Sequence, residues 1–223
     1  MSMLLVAHGT RKAEGVTMVR GLADRVSKLL DRHVDVAFVD VLGPTPSELL
    51  RPGCVVVPAF LSRGYHVNTD IPAHVAAAGH TDVVIAEALG PSPQIVRVLA
   101  DRLVECGWRP GDSVVLAAAG TSDRAAQRDL HTTAAWLSGT ISSRVELAFA
   151  ATGTPRVADA VTTLRARGAG RVVVASYLLS DGLFQDRLRC SGADLVTEPL
   201  GPHPGTAALV ASRFRRARLL AAA

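Results

Sequence analysis

Three blocks of this sequence recur in order at one constant offset. LLVAHGT, residues 4–10, aligns with VLAAAGT, residues 115–121; VDVAFVDVLGPTP from Val34 aligns with VELAFAATGTPRV from Val145; GPSPQIVRVLADRL from Gly90 aligns with GPHPGTAALVASRF from Gly201. An ordered internal repeat means that whatever architecture the first half adopts, the second adopts too. The copies meet near CGWRPGDS, residues 106–113, where Gly and Pro cluster and hydrophobic periodicity lapses. The expected domains are therefore residues 1–107 and 112–223.

Within each half, short apolar runs alternate with helical patterns. Met3 to Ala7, Val34 to Val39, Cys54 to Ala59 and Val83 to Glu87 are short, mostly apolar and bounded by loops, as buried parallel strands are. Between the first two, Val19, Leu22, Ala23, Val26, Leu29 and Leu30 recur at helical spacing while Arg20, Asp24, Arg25 and Lys28 fall on the opposite face. Thr45-Pro46 and Ser92-Pro93 each offer an N-cap residue followed by the favoured first helical residue. The expected fold class is α/β: two similar domains related by duplication, each a parallel sheet of about four strands flanked by helices and connected right-handedly.

Ligands of such sheets bind beyond the carboxyl ends of the strands. His8 ends the first strand, and His66 lies in the loop after the third, in FLSRGYHVNTDIP, residues 60–72, where Asp70 reads as a helix-starting acid. Gly9 and Gly64 beside them let the backbone approach a ligand closely. Asp40 ends the second strand. Two imidazoles and a carboxylate suit iron, cobalt, nickel or zinc, a neutral imidazole equally accepts a proton, and polar loop residues without chemistry occupy such places as well. His33, His74, His80, His131 and His203 read as solvated or structural.

Composition narrows the partners. Of 24 basic residues only Lys12 and Lys28 are lysines, leaving 22 arginines, whose planar forks suit carboxylates and phosphates. These charges are scattered among acids with few aromatics to stack bases, so no nucleic acid is expected. RFRRAR from Arg213 reads as the solvated face and end of a helix. Cys54, Cys106 and Cys190 are odd in number and far apart, which predicts reduced thiols in a cytoplasmic protein rather than a disulfide or cysteine-ligated framework. The N-terminal apolar run is five residues and precedes a His, not a cleavage site, so no signal peptide is expected, and no run reaches a membrane span. Neither a phosphate-binding glycine loop nor a G-x-S-x-G elbow is present.

LLVAHGTR, AFVDVLGPTPSE and above all VVVPAFLSRGYHVNTDIP resemble the sirohydrochlorin chelatases, the class II chelatases that insert a divalent metal into a siroheme or cobalamin precursor. The resemblance covers essentially the whole chain in the long, two-half form. It implies paired α/β halves with a cleft between them and a site of two histidines with an acid nearby, which fall on His8, His66 and Asp40, where the family more often has a glutamate. The second half lacks this chemistry: Ala119 stands at the place of His8, and Leu183 or Phe184, depending on a one-residue gap, at that of His66.

The resemblance implies insertion of Fe²⁺ or Co²⁺, with Ni²⁺ or Zn²⁺ possible in vitro, without ATP and without a cofactor beyond the substrate metal. His8 and His66 would bind the metal and accept the pyrrole protons, with Asp40 as third ligand or orienting group. Leu61, Tyr65 and Val67 would wall the macrocycle; Gly9, Thr10 and Gly64 would contact it. Arg11, Arg63 and Arg124 would grip its carboxylate rim, the two fused halves acting as a monomer. A metal or tetrapyrrole carrier would use the same ligands. A histidine phosphatase fits less well, because its R-H-G motif has Ala7 here in place of the arginine.

Overall fold

The computed structural model describes residues 1–221. Its first sheet contains β1 (Met3–Ala7), β2 (Asp35–Phe38), β3 (Val55–Pro58) and β4 (Val84–Ile85) in the order β2-β1-β3-β4. The second repeats the arrangement with β5 (Ser113–Gly120), β6 (Val145–Thr152), β7 (Val172–Tyr177) and β8 (Leu195–Val196) as β6-β5-β7-β8. Every pairing is parallel. The helices are α1 (Ala13–Leu30), α2 (Pro46–Leu49), α3 (Ile71–Ala77), α4 (Pro93–Glu105), α5 (Arg124–Ile141), α6 (Val157–Ala166), α7 (Leu183–Arg189) and α8 (Pro204–Ala221). A single π-helical turn, His66–Asp70, runs directly into α3.

Local rules account for the boundaries. Ser92 is buried and its hydroxyl accepts the Ile95 N–H at 3.3 Å, so α4 begins at Pro93 as the Ser-Pro pair predicts. At Thr45-Pro46 the helix also starts, but α2 is one turn long, because Leu50 is already extended and Pro52 follows. The fourth strand contracts from the expected Val83–Glu87 to two residues, as befits an edge strand paired on one side only.

The two halves are not separate globules. Alternation along the strands sends Met3, Leu5, Val55, Val57, Val114, Leu116, Val173 and Ala175 into one apolar cluster common to both halves. The opposite faces, Leu4, Val6 and Val56 in one half and Val115, Ala117 and Val174 in the other, form smaller clusters under α2 and α3 and under α6 and α7. The last helix of each half crosses over: α4 packs on α5 and β7, while α8 packs on α1, β3 and β4. Amphipathic periodicity specifies an apolar face but not whose sheet it covers, so this exchange has no signature in the sequence.

The exchange also changes the reading of RFRRAR. Arg213 is mostly buried and pairs with Glu87 at 2.5 Å, and Arg215 donates to the Leu29 carbonyl at 2.8 Å. These arginines tie α8 to the first half instead of forming only a solvated face. All three cysteines are free thiols. No helix among the described residues is long and apolar enough to cross a membrane.

Candidate functional site

β1 and β3 are neighbours at the centre of the first sheet, so the residues leaving their carboxyl ends emerge side by side. Gly9 makes the first exit possible. At φ +96° its backbone lies against β2, and a Cβ there would sit 2.2 Å from the Asp40 carbonyl oxygen. The Asp40 N–H donates to the His8 carbonyl at 3.1 Å, which leaves the His8 side chain pointing into solvent.

His66 opens the π-helical turn. Its ring lies 4.7 Å from that of His8, centroid to centroid, at an interplanar angle of 89°. Phe60 stacks on His66 at 5.6 Å and Tyr65 approaches edge-on at 5.9 Å. Behind the ring, Nδ1 is 2.5 Å from Asp70 Oδ2, an i,i+4 contact within the turn.

These contacts fix which ring nitrogens keep a free lone pair. A carboxylate accepts, so the shared hydrogen rests on His66 Nδ1 and a neutral ring keeps its lone pair on Nε2. At His8, Nδ1 is 3.2 Å from the Gly9 carbonyl, which also only accepts, so Nε2 is again the basic nitrogen. Two adjacent imidazoles with free Nε2 lone pairs can ligate a borderline divalent cation or take up protons.

The expected third member is not assembled with them. Among the described residues no group of three or more His, Cys, Asp or Glu side chains is placed to hold a metal. The reason is strand order: β2 flanks β1 on the side away from β3, so Asp40 lies across His8 from His66. Its carboxylate instead accepts the Val41 N–H at 2.7 Å. The acid that reaches the pair is Asp70, through His66, and its i,i+4 spacing was visible in HVNTD.

The other candidates divide. Tyr65 is 62% exposed; Arg11, on the loop after β1, and Arg124, the first residue of α5, are exposed near the strand ends. Thr10 accepts the Lys12 N–H at 3.3 Å, and Lys12 pairs with Asp186 of α7. Leu61 packs against the shared core rather than standing free, and Val67 lines a groove of about 280 Å³ with Arg63, Gly90 and Arg213. Gly64 abuts the second half, a Cβ there falling 3.7 Å from that of Ala126.

Arg63 differs most from expectation. Its backbone N–H and Nε donate to Asp129 Oδ2, each at 3.0 Å, and its NH2 group to Oδ1 at 2.6 Å. Asp129 belongs to α5, in the other half. Burial alone would push its carboxyl up, but the side-chain and backbone hydrogen bonds from Arg63 outweigh burial and hold it below the usual aspartate range. The guanidinium is thus engaged by Asp129, while the Arg63 side chain as a whole stays more than half exposed. Nothing local marks Asp129 in the sequence, because its partner is far along the chain.

A model of the CbiX family matches the chain twice, over residues 2–106 and again over 113–217. The chain belongs to the CbiX family. Among curated CbiX-like relatives, the sirohydrochlorin ferrochelatase of Priestia megaterium is 26% identical over 96% of this chain and 89% of its own. The sirohydrochlorin cobaltochelatase of Methanothermobacter thermautotrophicus is 28% identical over 46% of this chain and 90% of its own, so a half-length relative corresponds to about one repeat. Among solved structures, SirB from Bacillus subtilis with Fe³⁺ superposes with a TM-score of 0.83 at 18% identity, covering 97% of this chain and 94% of that one. CbiX, the terminal enzyme for biosynthesis of siroheme in denitrifying bacteria, superposes at 0.74 and 22% identity, covering 97% and 99%. Both share this duplicated fold.

Proposed function

We propose that this CbiX-family protein is a sirohydrochlorin chelatase that inserts Fe²⁺ or Co²⁺ into sirohydrochlorin. The reaction exchanges two pyrrole N–H protons for one M²⁺, with no change of oxidation state. The observation that carries the assignment is the contact between the His8 and His66 rings at 4.7 Å, each with Nδ1 occupied and Nε2 available. His8 and His66 deliver the metal and accept protons through Nε2, while Asp70 holds His66 in the tautomer that both tasks need. Tyr65, exposed beside the pair, offers a flat surface to the macrocycle, and Arg11 and Arg124 meet its carboxylates. The enzyme acts as a cytoplasmic monomer, without ATP and with no cofactor beyond the substrate metal.

His8→Ala and His66→Ala are each expected to lower the rate of metal insertion about 100-fold or more, the usual worth of a positioned proton acceptor, with the fold retained. The absorbance change of sirohydrochlorin on metalation measures this, and near-normal turnover in both variants would overturn the mechanism. Turnover beyond one equivalent separates the enzyme from a stoichiometric carrier, and parallel assays with Fe²⁺ and Co²⁺ rank the two metals.

A further inference from the structure

The strand registers place the two halves in residue-by-residue correspondence. Leu4 pairs with Val56, and its repeat-mate Val115 pairs with Val174. Val56 and Val174 are therefore equivalent, and counting equally along both loops matches Ala59 with Tyr177, Leu61 with Leu179, Arg63 with Asp181, Gly64 with Gly182 and His66 with Phe184. The match is independently visible in packing: a Cβ on Gly90 would meet the Leu61 carbonyl oxygen at 2.1 Å, and one on Gly201 would meet that of Leu179 at 2.3 Å. The long helices correspond as well, α1 and α5 being 18 residues each and closed by Asp31 and Ser142 at φ 50°. Met18 of α1 is thereby the counterpart of Asp129 of α5.

Each loop reaches across to the opposite half, but the two are fastened by different chemistry. In the loop that carries His66, Asp129 accepts three hydrogen bonds from Arg63 and is itself only 3% exposed. The Tyr177 hydroxyl donates to the Leu61 carbonyl at 2.7 Å. Burial keeps that phenol's pKa well above its ordinary value, so it remains a donor. In the loop that carries Phe184, the Asp181 N–H meets the thioether of Met18 at 3.2 Å, and Ala59 stands where a second Tyr177 would be. A carboxylate accepting from a guanidinium makes a strong, directional pair, whereas a thioether is a weak acceptor. Between the loop stems themselves, residues 61–63 and 179–181, the strong fastening is on the side of the histidine; the other half is held by charge only further on, where half-exposed Lys12 pairs with Asp186 of α7.

We infer that Asp129 and Tyr177, both supplied by the half without the histidines, are positioning residues that hold the 61–66 loop so that His66 faces His8. This rests on the chelatase reading for its link to turnover. It also gives Arg63 a role other than gripping substrate: Arg63 ties the loop to α5, and the second half serves as a jig for the first.

The test uses the full-length protein with Asp129→Met, which installs the side chain of the inert counterpart, and Tyr177→Phe, which removes only the hydroxyl. Each is expected to lower kcat for metal insertion about tenfold, and the pair together up to about 100-fold, the cost of a misplaced reacting group, while KM for sirohydrochlorin stays within about twofold. Amide hydrogen exchange is expected to rise across residues 61–68 and not in the strands. Arg63→Ala should reproduce the Asp129→Met effect, with the double variant no worse than either single one, since both remove one interaction. Wild-type kcat with unchanged exchange in Asp129→Met and Tyr177→Phe would overturn the inference, as would an Arg63→Ala defect confined to KM for sirohydrochlorin. Absence of metal insertion by the wild-type protein would remove the chelatase reading itself, while exchange across 61–68 would still decide whether Asp129 and Tyr177 hold the loop.

Discussion

The two halves of this chain share one strand order and differ in the side chains at their strand ends. Gly9 and Gly120 both stand near φ +100°, each pressed against a carbonyl of the neighbouring strand tip, that of Asp40 in one half and Thr152 in the other. The Phe38 N–H reaches the Pro44 carbonyl at 2.9 Å, and the Phe149 N–H that of Pro155 at 3.0 Å. Tyr65 and Leu183 are equally exposed, at 62% and 60%. Yet Ala119 replaces His8, Phe184 replaces His66, and buried Leu188 replaces Asp70. Phe184 spends its ring on the Arg187 guanidinium, 5.6 Å from its centroid. The difference teaches that the glycines and turns belong to the fold, because both halves need them, whereas the histidines and their acid, present in one half only, are the residues to which the proposed chemistry is assigned.

The severest way to break this comparison is to make the histidine-bearing half a copy of the other. His8→Ala combined with His66→Phe is expected to lower kcat by about 10³-fold or more, as both proton acceptors are lost. The melting temperature should move by no more than a few degrees, because His8 is exposed and His66 is partly exposed between the rings of Phe60 and Tyr65, neighbours that a phenyl ring can also stack on. Stopped assays of metalation and a thermal melt check the two parts, and a large loss of stability would mean that the histidines are structural.

The glycines test the other side of the comparison. Gly9→Ala and Gly120→Ala should each destabilise by roughly 2–4 kcal/mol, since a Cβ must both strain at positive φ and displace a strand-tip carbonyl. Gly120→Ala should be the worse of the two, because its Cβ would lie 1.7 Å from the Thr152 oxygen against 2.2 Å for the Gly9 contact. Below their melting temperatures only the Gly9 variant should also lose turnover, because it alone moves a histidine. Denaturant titration with matched activity assays measures this, and equal loss of turnover in both would dissolve the distinction between scaffold and chemistry.

What the sequence made legible follows from range. Strand ends, Ser92-Pro93 and the loop carrying His66 are local patterns, and the rule that ligands meet parallel sheets at carboxyl ends was enough to pair His8 with His66. Asp40 misled because its side of β1 depends on strand order, which a short apolar run does not encode. Asp70 was readable as an i,i+4 partner once the turn was taken as helical. Asp129 and Tyr177 were not, since each meets its partner only after α4 and α8 have exchanged sheets and drawn the halves around one core.

The smallest expected effect is a difference in acid stability between the two loop fastenings. Asp129 has a folded pKa below its unfolded value, so it contributes stability that is fully present above about pH 4, the ordinary aspartate range, and is lost as pH falls through the depressed folded value. Protonation turns one acceptor of the Arg63 fork into a donor, a loss on the order of 1 kcal/mol. Met18, the counterpart in the other half, does not titrate. Asp129→Met should therefore flatten the acid limb of stability below about pH 4 while leaving the limb above it parallel to wild type. Urea unfolding from pH 2.5 to 6 resolves this, and an unchanged acid limb would place the titrating contribution elsewhere than in the fastening that distinguishes the His66 loop from its counterpart.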